Sequence, residues 1–193
     1  MNLLNNGVNL FTPYIYKFQF PFEFEILKPK IYNLLENNSE TSLLEIGNSK
    51  SSIKASNTEQ PHTWEELSEF QEWLGSMIYF IRKENKFIYE YNEVTESWIN
   101  IHYKGGQTLE HSHNFITFVV TAYLQVPDNS GYIEFKDPLE YHKSIYPIFP
   151  EESLYKELPV TTNDVLIFPG WLKHRVQPNL SDHERIIFTF NIR

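Results

Sequence analysis

The second half of this chain is cut by turn residues into short apolar runs, and that punctuation restricts the fold more than any other feature. From Trp98 onward, the runs Trp98–Tyr103, Phe115–Val126, Tyr132–Phe135, Val165–Phe168, His174–Val176 and Ile186–Ile192 read as strands. Breakers separate them at Gly105-Gly106, 127–131, Pro169-Gly170 and Pro178-Asn179. Turn signals at this density predict an antiparallel sandwich or jelly roll. An aromatic content of 16%, with fifteen Phe and twelve Tyr, suits strands and a well-filled interior.

The first half differs. Residues 1–62 are rich in Asn and Ser, with a strand-like aromatic run at Tyr14–Phe24 and a short helix expected over Pro29–Asn37, opening near the proline. Residues 39–62 read as polar loop. Thr63 and Glu66 then make a capping-box pattern, and Trp64, Leu67, Phe70, Leu74, Met77, Ile78 and Ile81 recur at helical spacing. That helix is expected to end near 83–85. The link Asp137–Asn163 has no clear period and is expected to act as a lid, with Tyr141, Tyr146 and Phe149 facing substrate. At 193 residues the simplest organisation is one domain over 1–193, with 1–96 supporting a β core at 97–193.

Composition removes several classes of function. Sixteen basic against twenty-five acidic residues give a net charge of −9, which disfavours nucleic acid and anionic membranes as partners. The absence of cysteine excludes disulfides, zinc fingers, iron–sulfur clusters and thiol catalysis. No basic leader precedes an apolar core at the N-terminus, and no apolar run approaches the ~20 residues of a membrane span. A cytoplasmic location is the expectation. Oligomeric state is not legible.

Three of the seven histidines form the pattern His111-x-His113…His174, with Arg185 eleven positions after the last. Histidines two apart on a strand share a face, and a third from a distant strand can close a facial metal site. An arginine on the next strand could hold a carboxylate beside that metal, and the apolar run after Arg185 argues that it is buried and needs such a partner. Thr189, on the same face as Arg185, could add a hydroxyl, and Tyr103 and Asn100 could face the same pocket. Trp98 and Trp171 read as packing residues close to the motifs. Singly, His62, His102, His142 and His183 read as ordinary surface or hydrogen-bonded residues.

The stretch Ser97–Gly106 (SWINIHYKGG) followed by His111–His113, and then Asp164–His174 (DVLIFPGWLKH) and Glu184–Ile192 (ERIIFTFNI), resembles a phage and bacterial family of 2-oxoglutarate-Fe(II) oxygenases. The likeness covers residues 97–192, about half of the chain. It implies a mainly β chain with N-terminal helices, its core a double-stranded β-helix of the jelly-roll, cupin-like kind. It also implies Fe(II) held by His111, His113 and His174, and a 2-oxoglutarate cosubstrate whose distal carboxylate meets Arg185. O2 and an unidentified small-molecule or protein substrate complete the set of partners, in the host cytoplasm if the chain is phage-encoded. The expected reaction is hydroxylation with release of succinate and CO2.

Position 113 departs from the usual pattern. Most such oxygenases pair two histidines with one carboxylate. Here Glu110 points to the opposite strand face from His111, and Asp128, Glu134 and Asp137 lack the spacing, so a three-histidine site is expected. Two other readings stand beside it: a three-histidine zinc enzyme that activates water, which leaves Arg185 without a task, and a non-catalytic jelly-roll binding or structural module, which leaves the ordered histidines unexplained.

Overall fold

The computed structural model describes residues 13–38, 42–85, 93–140 and 154–193. Its organising element is β11 (Arg185–Ile192), all eight residues of which are buried. Side chains alternate across a strand. Ile186, Phe188, Phe190 and Ile192 therefore enter one apolar cluster, while Ile187 enters another on the opposite face. The helix-facing side of the strand is wholly apolar, whereas the opposite side mixes Ile187 with the buried polar residues Arg185, Thr189 and Asn191.

Two antiparallel sheets result. The larger joins β1 (Tyr16–Gln19), β9 (Asp164–Pro169), β6 (Phe118–Gln125), β11, β4 (Val94–His102) and β3 (Ser49–Ser51), in that order. The smaller joins β2 (Glu45–Ile46), β5 (Gln107–His111), β10 (His174–Val176), β7 (Ile133–Lys136) and β8 (Tyr155–Leu158). Between them lie Val119, Tyr123, Phe135, Leu166, Phe168 and Ile187.

Two helices cover the outer face of the larger sheet. α1 (Phe24–Asn37) contributes Leu27, Ile31, Leu34 and Leu35, and α2 (Ser68–Asn85) contributes Phe70, Leu74, Ile78 and Ile81. Each such side chain is worth about 1.5–3 kcal/mol on burial. The helices thus back the β core, as the resemblance implied.

Several local expectations change. α1 starts at Phe24 and takes Pro29 into its interior; the proline forfeits only its own bond to the Glu25 carbonyl, and the Leu27/Ile31/Leu34 stripe holds the helix. The capping box does not form: Thr63 is taken into a 3-10 turn, where its one hydroxyl proton is shared between the Gln60 and Thr58 carbonyls. Short 3-10 turns at Pro61–Thr63 and Glu65–Leu67 precede α2. The segment expected to be polar loop carries β2 and β3, and the expected lid carries β8. Tyr141, Tyr146 and Phe149 lie outside the described residues.

Candidate metal centre and its pocket

His111 ends β5 and His174 opens β10, and the two residues pair directly across the ladder. His113 follows in a loop whose amide donates to the Gly170 carbonyl at 2.8 Å, and Gly170 in turn donates to the Thr117 carbonyl at 3.2 Å. A Cβ on Gly170 would stand 2.3 Å from the Ile116 carbonyl oxygen. Glycine in the Pro169-Gly170 turn thus allows the close approach of the two loops that carry His113 and lead to His174. The three rings converge, with centroids 4.3 Å apart for His111–His174, 5.0 Å for His111–His113 and 5.3 Å for His113–His174. Their ligand atoms lie within 4.8 Å of one another, forming the metal-competent group found among the described residues.

Hydrogen bonding fixes which nitrogen of each ring is available. His111 Nδ1 lies 2.8 Å from the Leu109 carbonyl and His174 Nδ1 lies 2.9 Å from the Leu172 carbonyl, so both must donate. His113 Nδ1 donates to Asn191 Oδ1 at 2.7 Å, and Asn191 Nδ2 donates to Glu96 Oε2, which sets the amide orientation. The lone pair therefore sits on Nε2 in all three. His113 Nε2 is buried with no hydrogen-bond partner, a costly state for a nitrogen that no ligand satisfies. Carbonyl and amide acceptors behind metal-binding imidazoles are the usual orienting arrangement. The residues fit a divalent metal.

Burial also keeps the rings in the ligand form. It pushes the His113 imidazole down to about 4 and His174 well below its ordinary value, with the neighbouring histidines acting in the same direction. Unfolded, both would titrate near 6.5. The unfolded chain therefore binds more protons as pH falls, and native stability present above pH 6.5 is lost toward pH 4. For His113 alone the loss is about 3 kcal/mol. Urea denaturation of the metal-free chain at pH 7 and pH 4.5 should show most of that difference, with His174 adding to it; equal stabilities would contradict the burial of these rings.

A pocket runs from the imidazoles between the two sheets, with Trp98, Asn100, Thr121, Tyr123 and Thr189 among its lining residues. Its free volume is about 40 Å³. Trp98 stacks on His113 at 5.8 Å between centroids, so it is a wall of the site as well as core. Asn100 Oδ1 and the Thr121 and Tyr123 hydroxyls are buried without a hydrogen bond of ordinary geometry. Burial raises the Tyr123 phenol to about 12, so it stays protonated and can donate.

Arg185 is fully buried, as expected, but the pocket surface does not include it. One terminal nitrogen donates to the Ser130 and Gly131 carbonyls. The other donates to the Gln177 carbonyl at 3.0 Å and to His102 Nδ1 at 3.1 Å, and Nε also faces His102 Nδ1. All five N–H groups are engaged within the protein. His102 then presents Nε2–H to Glu45 Oε2 at 2.6 Å. Arg185 thus stands behind the wall at the far end of the pocket, coupled through His102 to Glu45.

The remaining expectations divide by strand parity. Asn100 and Thr189 line the pocket. Tyr103 does not: Ile99 and Ile101 face the helices, and Tyr103, two positions on, packs against the same cluster. Trp171 is more than half exposed. Glu110 points away, as expected, to Tyr155 and Lys136. Sequence reasoning passed over Thr121, Tyr123 and Asn191, although a polar residue at inward parity in an apolar strand is a usable signal. Glu45 gave no signal, since its strand is two residues long.

Residues 96–191 match the model of a family described as "Putative 2OG-Fe(II) oxygenase". Through that segment the chain belongs to the 2OG-Fe(II) oxygenases. This oxygenase therefore uses Fe(II) and 2-oxoglutarate, as its family does. No curated protein matches it. Among solved structures it is similar to SnoK, a non-heme alpha-ketoglutarate-dependent carbocyclase from nogalamycin biosynthesis, at 14% identity and TM-score 0.65 over 93% of this chain and 79% of that one. A Pseudomonas putida prolyl-4-hydroxylase matches at 13% identity and TM-score 0.61, over 94% and 93%. HygX from Streptomyces hygroscopicus, solved with nickel and 2-oxoglutarate bound, matches at 13% and 0.61, over 94% and 83%. At such identities the likeness shows the fold, a double-stranded β-helix. No helix among the described residues is long and apolar enough to cross a membrane.

Proposed function

We propose that the oxygenase hydroxylates a substrate C–H bond, with its iron held by His111, His113 and His174. The carrying observation is the convergence of three imidazoles whose Nδ1 atoms are all committed as donors, which leaves the Nε2 lone pairs free on rings whose ligand atoms lie within 4.8 Å of one another. Bound Fe(II) and 2-oxoglutarate supply the oxidising chemistry, with O2 reduced and the ketoacid converted to succinate and CO2. The chain's part is to position and to exclude water. A facial set of three ligands leaves room beside the metal for the ketoacid and O2. Trp98 and Phe168, packed on His113 and His174, hold those rings in place.

The distal carboxylate of 2-oxoglutarate would run along the pocket past Thr121, Tyr123, Asn100 and Thr189, which line it, toward the end where Arg185 supplies the positive charge through His102. The net charge of −9 disfavours a polyanionic substrate, which leaves a small molecule or a protein as the substrate class. The test is succinate release that requires both iron and 2-oxoglutarate; release supported equally by zinc, or absent with iron, would overturn this reading.

A further inference from the structure

The Glu45 carboxylate sits in the pocket wall, and its charge cannot be reconciled with a second carboxylate there. Glu45 is buried, accepts from His102 Nε2 at 2.6 Å, and accepts from Thr108 Oγ1 at 3.0 and 3.1 Å. Because His102 Nδ1 accepts from Arg185, its Nε2 must carry the proton, and the imidazole is neutral. The network is then one anion and one cation bridged by a neutral ring. The pocket lining contains no lysine or arginine among the described residues. The distal carboxylate of 2-oxoglutarate would be a second buried anion facing the same single cation, an arrangement that desolvation makes strongly unfavourable.

The available space points the same way. A free volume of about 40 Å³ is far below the ~150 Å³ of a cavity that holds one benzene, and the ketoacid is larger than benzene. Something in the lining must move. Glu45 is carried on a two-residue edge strand paired to β5 through Thr108 and Gln107, with one further backbone bond from the Leu109 amide to the Leu44 carbonyl and the highly exposed Leu43 two positions before it. By contrast, Tyr123, Thr121 and Thr189 stand on central strands of the larger sheet. Few contacts make the β2 segment the cheapest wall to open.

Resting on the 2-oxoglutarate reading above, we propose that Glu45 holds the seat of the cosubstrate's distal carboxylate and must give it up when the ketoacid binds. Glu45 lies outside the family-matched segment and acts as an internal competitor. It sets the affinity for ketoacids with an anionic tail and leaves those with a neutral tail little affected.

The experiment titrates Fe(II)-loaded full-length protein, without oxygen, with two ketoacids by calorimetry. 2-Oxoglutarate is one; 5-methyl-2-oxohexanoate is the other, and puts an uncharged isopropyl group where the distal carboxylate would be. Glu45→Gln should bind 2-oxoglutarate at least about tenfold more tightly than wild type, while the neutral-tailed analogue changes by less than about twofold, within the scatter of such comparisons. Glu45→Ala, which also vacates space, should shift in the same direction and serves if the glutamine variant folds poorly. Unchanged or weaker 2-oxoglutarate binding in both variants overturns the proposal while leaving the oxygenase reading intact, as do equal shifts for the two ketoacids. Failure of 2-oxoglutarate to bind the iron-loaded wild type and both variants overturns that reading along with the proposal.

Discussion

His113→Ala is expected to lose iron, and His113→Asp to keep it. Removing the imidazole deletes one of three ligands, an effect well beyond the roughly 10–100-fold cost of losing an outer hydrogen-bond partner. Aspartate restores a donor on the same backbone position and places a negative charge beside Fe(II), recreating the two-histidine, one-carboxylate set. Its shorter reach, and the loss of the bond from ring Nδ1 to Asn191, allow turnover to fall while metal stays. His174→Ala should match His113→Ala. Iron held equally by wild type and His113→Ala, measured by competitive chelation, would place His113 outside the ligand set.

The second large effect concerns Arg185. Its side chain joins the backbone at Ser130, Gly131 and Gln177 to His102 and Glu45. Arg185→Met would leave three carbonyls without their donor and Glu45 without its counter-charge. Breaking a buried pair from one side typically costs about 3–5 kcal/mol, which for a chain of this size is roughly 6–20 °C in Tm. Adding Glu45→Gln to Arg185→Met should recover part of the loss, because the stranded anion is then gone. An additive double mutant would show that the Glu45–His102–Arg185 chain is not coupled. The structure thus gives this arginine a structural task alongside the cosubstrate role that sequence alone suggested.

The contrast between Arg185 and Tyr103 shows what sequence could and could not supply. The H-x-H…H series was legible because metal ligands need particular side chains, and few residue types qualify. Arg185 was legible as buried, from the apolar run that follows it, yet its partners were not, because they are carbonyls from a turn and a strand distant in sequence. Tyr103 and Asn100 could have been separated in advance. They are three positions apart, Asn100 on β4 and Tyr103 just past its end, so strand parity lets only one of them face the pocket; the ladder sets Trp98, Asn100 and His102 inward. His102 reads in the sequence as an ordinary histidine, yet it shares the parity of Asn100. Short strands leave the weakest trace in the sequence. β2 and β3 carry too few residues for a period to show, and their pairing is decided by contacts to β5 and β4. Glu45 came into view only with that pairing.

Strand boundaries fared better where burial is two-sided. β6, β9 and β11 fall within a few residues of the apolar runs that predict them, since the same side chains that fill the two clusters make those runs. The helical half was harder to bound, because α1 and α2 owe their extent to packing on the sheet more than to capping residues.

The most direct test of the account is an anaerobic optical titration. Purified protein loaded with one Fe(II) per chain should develop a weak visible charge-transfer band when 2-oxoglutarate is added, and His174→Ala should develop none. An iron-loaded wild type that binds 2-oxoglutarate with no band, or a His174→Ala variant that gives the same band, would contradict an iron centre built on His111, His113 and His174.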